Sequence, residues 1–190
     1  MNKKAPNLEL KGMTNDVVCL DVPRRPARPG ATVVRVTNVE NPTNVVNPNG
    51  FGVHLTLDGY GGSQEQLSDL EHVRRFLSQL PEQLGMHKLM EPAVQELGAL
   101  SPKDPGGVSG FVMIAESHIS AHTFPLRGFI SADVYTCQNC LETRQICRYF
   151  IDAFGLQDLE VNLVRRGTRY PDQNIYDAPQ PAAPAKLATR

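Results

Sequence analysis

The sequence predicts an α+β domain: a two-layer sandwich in which a mostly antiparallel sheet carries helices on one face. Three observations predict it. Segments 51–58, 108–117, 129–136 and 159–164 read as strands. Stretches 63–80 and 140–154 place apolar residues at three- and four-residue steps, as amphipathic helices do. The turn Pro125-Leu126-Arg127-Gly128 is short enough to join only antiparallel neighbours.

The elements follow in order. Residues 1–49 are cut by Pro23, Pro26, Pro29, Pro42 and Pro48 and read as an extension, with a β-branched strand candidate at Ala31–Val39. The globular part, residues 50–177, opens with Phe51-Gly-Val-His-Leu-Thr-Leu-Asp58, which alternates apolar and polar side chains. After the turn Gly59-Tyr60-Gly61-Gly62, Leu67, Leu70, Val73, Phe76, Leu77 and Leu80 mark one helix, with cap candidates among Ser63–Gln66 and Ser68; Pro81 ends or restarts it. Met86–Leu97 fits a short helix or a strand. Ser101–Gly107 is a loop by composition. The strand 108–117 continues toward Pro125, and Phe129–Thr136 returns beside it. Leu141, Ile146, Tyr149, Phe150 and Ala153 mark the last helix face, stopped by Gly155. Residues 178–190 are a low-complexity tail expected to be disordered.

A chain of 190 residues with 41% hydrophobic content can bury a real core. Its formal net charge of -1 favours neither nucleic acid nor an anionic membrane. No apolar run approaches a membrane span, and no apolar core follows Lys3-Lys4 as in a signal peptide. A cytoplasmic protein with free thiols is the expectation.

The chemistry concentrates in Glu116-Ser117-His118-Ile119-Ser120-Ala121-His122-Thr123-Phe124-Pro125, followed by Asp133-Val134-Tyr135-Thr136-Cys137. Serine, histidine and cysteine are the side chains of nucleophilic catalysis. Strand alternation points Ser117, Ile119 and Ala121 one way and His118, Ser120 and His122 the other. These two motifs, with Gly107-Val108-Ser109-Gly110 upstream, Gly52–Asp58 as first strand and Arg165-Arg166-Gly167 at the end, resemble S-adenosylmethionine decarboxylase of the short bacterial and archaeal type. The resemblance covers roughly residues 50–170.

The resemblance implies a protein that makes its own cofactor. Ser117 attacks the carbonyl of Glu116, the peptide becomes an ester, and elimination releases Glu116 as a new C-terminus, leaving a pyruvoyl group at 117. Residues 1–116 then form the β chain and 117–190 the α chain. By the same resemblance Ser109 and His122 serve processing, His122 as acid/base, and Cys137 returns a proton to the substrate carbon. Decarboxylating an amino acid needs an electron sink that no standard side chain supplies; the pyruvoyl carbonyl, through a Schiff base, is one. The family precedent also suggests a homodimer.

The substrate stays open at this level. Where the family has an acid after the X-Pro, this chain has Leu126, and 101–107 lacks the family's aromatic, with Lys103 near its place. Phe124 keeps the aromatic before the proline. The family default is S-adenosylmethionine; the alternative is ornithine or arginine, with Asp104 as partner for a distal cation; a non-processing regulatory homologue is the third reading. Cys137-Gln138-Asn139-Cys140 could hold zinc or act in redox chemistry, but a closed zinc site needs four ligands and no second pair exists, so no metal is expected. Cys140 and Cys147 read as small apolar residues of the helix face. His118 reads as packing or hydrogen bonding, His54 as a strand histidine, His72 and His87 as surface residues.

Overall fold

This computed structural model describes residues 50–138 and 140–170, together with the backbone of 18–22, 32–37 and 45–46. One layer is an eight-stranded sheet. From edge to edge it runs β1 (Val18–Val22), β2 (Thr32–Thr37), β10 (Asp158–Arg166), β4 (Gly52–Tyr60), β8 (Phe129–Thr136), β7 (Ser117–Phe124), β6 (Gly107–Ile114) and β5 (Ala93–Leu97). Every neighbouring pair is antiparallel except β2 with β10, which is parallel. A separate two-strand ladder joins β3 (Val45–Val46) to β9 (Cys140–Leu141). The strand expected at 31–39 is β2, and it extends the sheet beyond β10. The tail 178–190 lies outside the described residues.

The second layer is α1 (Gln64–Ser68), α2 (Leu70–Gln83) and α3 (Thr143–Phe154), all against one face of the sheet. Leu67, Val73, Leu77, Leu80, Ile146, Phe150 and Phe154 meet Leu55, Leu57, Val112, Ile119, Ile130, Val134 and Val161 in a continuous buried core. Each such side chain contributes about 1.5–3 kcal/mol by leaving water, so this layer contact dominates the stability of the fold. Among the described residues no helix is long and apolar enough to cross a membrane.

Three local expectations are corrected and one left open is decided. The single helix at 63–80 is two: Ser63 caps α1, and Asp69 breaks the run and caps α2, accepting the N–H groups of Glu71 (2.9 Å) and His72 (3.0 Å). Two otherwise orphaned donors at the start of α2 are worth that break. Pro81 lies inside the last turn of α2 rather than ending it. The undecided 86–97 stretch becomes β5 from Ala93, with Lys88 bridging Ile114 before it. The strand expected over 108–117 stops at Ile114. Ala115–Glu116 form a tight turn, so Ser117 opens a new strand.

Candidate active site

The helices cover the face that carries Ile119, Ala121, Thr123, Ile130, Ala132 and Val134, all buried. Period-two alternation therefore sends His118, Ser120, His122, Ser131, Asp133 and Tyr135 to the open face. At its middle, His54 Nε2 lies 3.0 Å from Asp133 Oδ1, and Ser120 donates to Asp133 Oδ2 at 3.1 Å. The Arg166 guanidinium sits 4.5 Å over the Tyr135 ring. His118 stacks on Phe111 and meets the edge of Tyr135. Burial, then the neighbouring His54, hold its imidazole below the usual histidine range; Asp133 opposes and Arg166 adds to the lowering. His118 is thus a neutral base at neutral pH. His54 is satisfied by Asp133, and His72 is half-buried, its Nε2 at 2.8 Å from the Ala153 carbonyl oxygen.

At one end of this face stands the Ala115–Glu116 turn. Ser117 has φ 153°, a positive value that costs a non-glycine residue about 1–3 kcal/mol. That distortion breaks the expected alternation: Ser117 Oγ lies 3.2 Å from His118 Nδ1 rather than pointing away from it. The Glu116 carbonyl oxygen accepts the Cys137 N–H at 2.9 Å. A hydroxyl, a neutral imidazole and a donor on the neighbouring carbonyl are the groups that an acyl shift would need. The Glu116 carboxylate is gripped by His87, at 2.7 Å from Nδ1 and 3.0 Å from the backbone N–H.

The other end holds the second pair. Ser109 Oγ and His122 Nδ1 are 2.9 Å apart across the β6–β7 ladder. The local sequence explains it. A side chain at Gly110 would run into Leu77, and one at Gly107 into the Thr123 carbonyl. The two glycines and buried Val108 serve packing, so Ser109 is the motif residue left facing His122. Thr123 locks the register by donating to the Leu67 carbonyl (2.7 Å) while accepting the Val108 N–H (2.9 Å). Phe124 packs against Phe129, which packs on Tyr60. Leu126 is 72% exposed, and Arg127 ties its turn to the 101–106 loop through the Pro102 carbonyl at 2.6 Å. Asp104 caps its own loop, its Oδ1 accepting the Gly106 N–H at 3.1 Å.

The predicted residues therefore fall into two groups. Glu116, Ser117 and Cys137 share one end; Ser109, His122, Phe124 and Asp104 share the other. Ser117 and His122 are five residues apart on one strand, roughly 17 Å at the rise of an extended chain. Sequence reasoning missed the Cys137 backbone donor, the His118–Ser117 contact and the His87 grip. His87 is brought to Glu116 by the Lys88–Ile114 bridge, a tertiary pairing with no local signature. Cys147 is buried, which pushes its thiol up to about 12, as suits an inert core residue. The Cys140 side chain lies outside the described residues.

The family profile described as S-adenosylmethionine decarboxylase matches residues 53–167. The S-adenosylmethionine decarboxylase proenzyme of Clostridium botulinum strain Langeland is 31% identical over 116 residues, covering 61% of this chain and 94% of that protein. That of Moorella thermoacetica is 31% identical over 123 residues, covering 65% and 93%. In structure, the adenosylmethionine decarboxylase from Aquifex aeolicus superposes with a TM-score of 0.54 at 26% identity, over 63% of this chain and 92% of that one. These comparisons give no support to the ornithine or arginine alternative. Such enzymes are carboxy-lyases whose pyruvoyl group forms by self-cleavage of a proenzyme, and by its sequence and its fold this chain belongs to the S-adenosylmethionine decarboxylase family.

Proposed function

We propose that the chain is a self-processing decarboxylase acting on S-adenosylmethionine, with Glu116–Ser117 as its scissile bond. The observation that carries this is the Ser117 geometry: a strained residue whose hydroxyl faces a neutral imidazole while the preceding carbonyl is held by a backbone donor. Glu116, Ser117, His118 and Cys137 fit the formation of a pyruvoyl group at position 117.

In the first step Ser117 Oγ gives its proton to His118 Nδ1 and attacks the Glu116 carbonyl carbon. The Cys137 N–H donates to the developing oxyanion. The C–N bond then breaks as the proton passes to the Ser117 nitrogen, leaving an ester. In the second step a base removes the Ser117 α-hydrogen, the Cβ–O bond breaks, and Glu116 departs as a carboxylate. The dehydroalanine left behind takes up water and loses ammonia. The pyruvoyl carbonyl so formed supplies the electron sink for loss of carbon dioxide from the substrate amino acid. Cys137, half-buried beside position 117, holds the proton for the substrate carbon.

His122, oriented by Ser109, is the base of the second step, and a second copy of the chain must supply it. His122 stands five strand positions from Ser117 within one chain, far beyond hydrogen-bond reach. A two-fold partner laid antiparallel on the open face brings each His122 end to the other's Ser117 end and builds two equivalent sites. Exposed Phe111 and Met113 lie on β6 between the two ends and give such a partner apolar surface to cover. In that arrangement Phe124 offers its ring to the substrate nucleoside. We place the enzyme in the cytoplasm as a homodimer, with neither nucleic acid nor membrane as partner.

A denaturing gel and a carbon-dioxide release assay test the reading together. Purified protein should run as two fragments divided after residue 116 and release carbon dioxide from S-adenosylmethionine, with ornithine and arginine as blanks. A single full-length band with no release defeats it.

A further inference from the structure

Glu116 is held from two sides. Its carbonyl oxygen takes the Cys137 N–H, and both carboxylate oxygens go to one residue, His87. The segment around His87 lies like a short added strand along the end of β6. The Ala115 N–H donates to the His87 carbonyl at 2.8 Å, the Leu89 N–H to the Met113 carbonyl at 3.0 Å, and Lys88 bridges Ile114. Buried Met86 anchors it from behind, and Gln138, next to Cys137, reaches the Gly85 carbonyl at 3.4 Å. The whole segment brackets the scissile turn.

The imidazole itself packs nothing, because its side chain is 80% exposed while that of Glu116 is 13% exposed. Its contribution is the bond to Glu116. The carboxylate is well served by it: burial pushes the Glu116 carboxyl up, but the hydrogen bonds from the His87 side chain and backbone outweigh that and leave it below the usual range. A strained φ such as that of Ser117 persists only when its surroundings over-determine it. With the Glu116 side chain free, a two-residue turn could rotate and relax.

We propose that His87 is a positioning residue for self-cleavage: its imidazole and backbone N–H grip the Glu116 carboxylate, hold the Glu116–Ser117 bond in its strained form, and keep Glu116 in place as the new chain end after scission. This rests on the reading of Glu116–Ser117 as the scissile bond. Before scission the grip keeps the attacked carbonyl on the Cys137 donor. Afterwards it retains the end of the β chain beside position 117 instead of releasing it to solvent.

The test follows the appearance of the two fragments in freshly translated precursor. His87→Ala should slow scission roughly tenfold, the rate equivalent of one charge-assisted hydrogen bond. His87→Asn, whose amide can stand in for the Nδ1 donor, should recover most of the rate. Glu116→Gln, which leaves the ring in place, should slow scission by a similar factor, and the double variant should be no slower than either single one. Equal scission in His87→Ala and the native chain overturns the proposal. So do equal slowing by Ala and Asn, and single-variant effects that multiply in the double. If His87→Ala fails to fold, the Glu116→Gln arm decides: scission at the native rate overturns the grip. A native chain that is never cut after Glu116 defeats the underlying reading instead, and is recognisable because every arm then stays full-length.

Discussion

Coexpression of two inactive chains tests the shared site. In one chain Ser117→Ala removes the proposed nucleophile; in the other His122→Ala removes the proposed base. Within one chain the two positions stand roughly 17 Å apart along β7, whereas a proton transfer needs about 3 Å. Alone, Ser117→Ala cannot be cut, and His122→Ala should be cut about 10²–10⁴-fold more slowly than the native chain, the usual worth of a general base. Together they should form mixed dimers. In each of these one site combines both lesions and the other combines the intact Ser117 of one chain with the intact His122 of its partner. Random pairing of equal amounts makes about half of the dimers mixed, so about half of the His122→Ala chains should be cut after Glu116. A tag on that chain lets a denaturing gel count them, and pull-down of the tag verifies that mixed dimers formed. Verified mixed dimers with no cutting, or native-rate cutting by His122→Ala alone, would refute the shared site.

Four further outcomes follow from the same face and its support. His118→Ala should slow the ester-forming step by about 10²–10⁴-fold while Ser117 stays intact, read from the pre-steady accumulation of precursor. The folded His118 binds its proton less readily than in the unfolded chain, so ester formation should hold as pH falls through about 6.5 and fail only below it; an ester-forming rate already halved at 6.5 would contradict the lowered value. By the same sign, His118 costs stability as pH drops below the unfolded value, since the unfolded chain then takes up the proton first. Asp69→Ala removes the cap that splits α1 from α2, and should cost about 1 kcal/mol, a fall in Tm of about 2–4 °C without loss of scission.

The alternating residues of β4 and β8 and the period of α3 made the layers legible, because burial on one face leaves a direct mark on the sequence. The motif glycines and Ser109 were legible as a pattern, and the structure supplies the reason that only Ser109 faces the site. The Ala115–Glu116 turn left no mark: neither residue is a turn former, and the apolar run into it continues the strand pattern. Asp69 hid inside a helical period that runs unbroken on both sides. Proximity in sequence also misled. Seven residues from Glu116 to His122 read as one cluster, yet an extended strand makes them the two ends of a face. The His87 grip was beyond local reasoning altogether, since 29 positions separate it from its partner.

The central claim is that Ser117 is consumed. Intact-mass measurement of the fragment beginning at position 117 tests it most directly. That fragment should start with a pyruvoyl group, blocked to N-terminal sequencing, with its partner ending at Glu116. A fragment beginning with an intact serine, or a chain that remains whole, would contradict it.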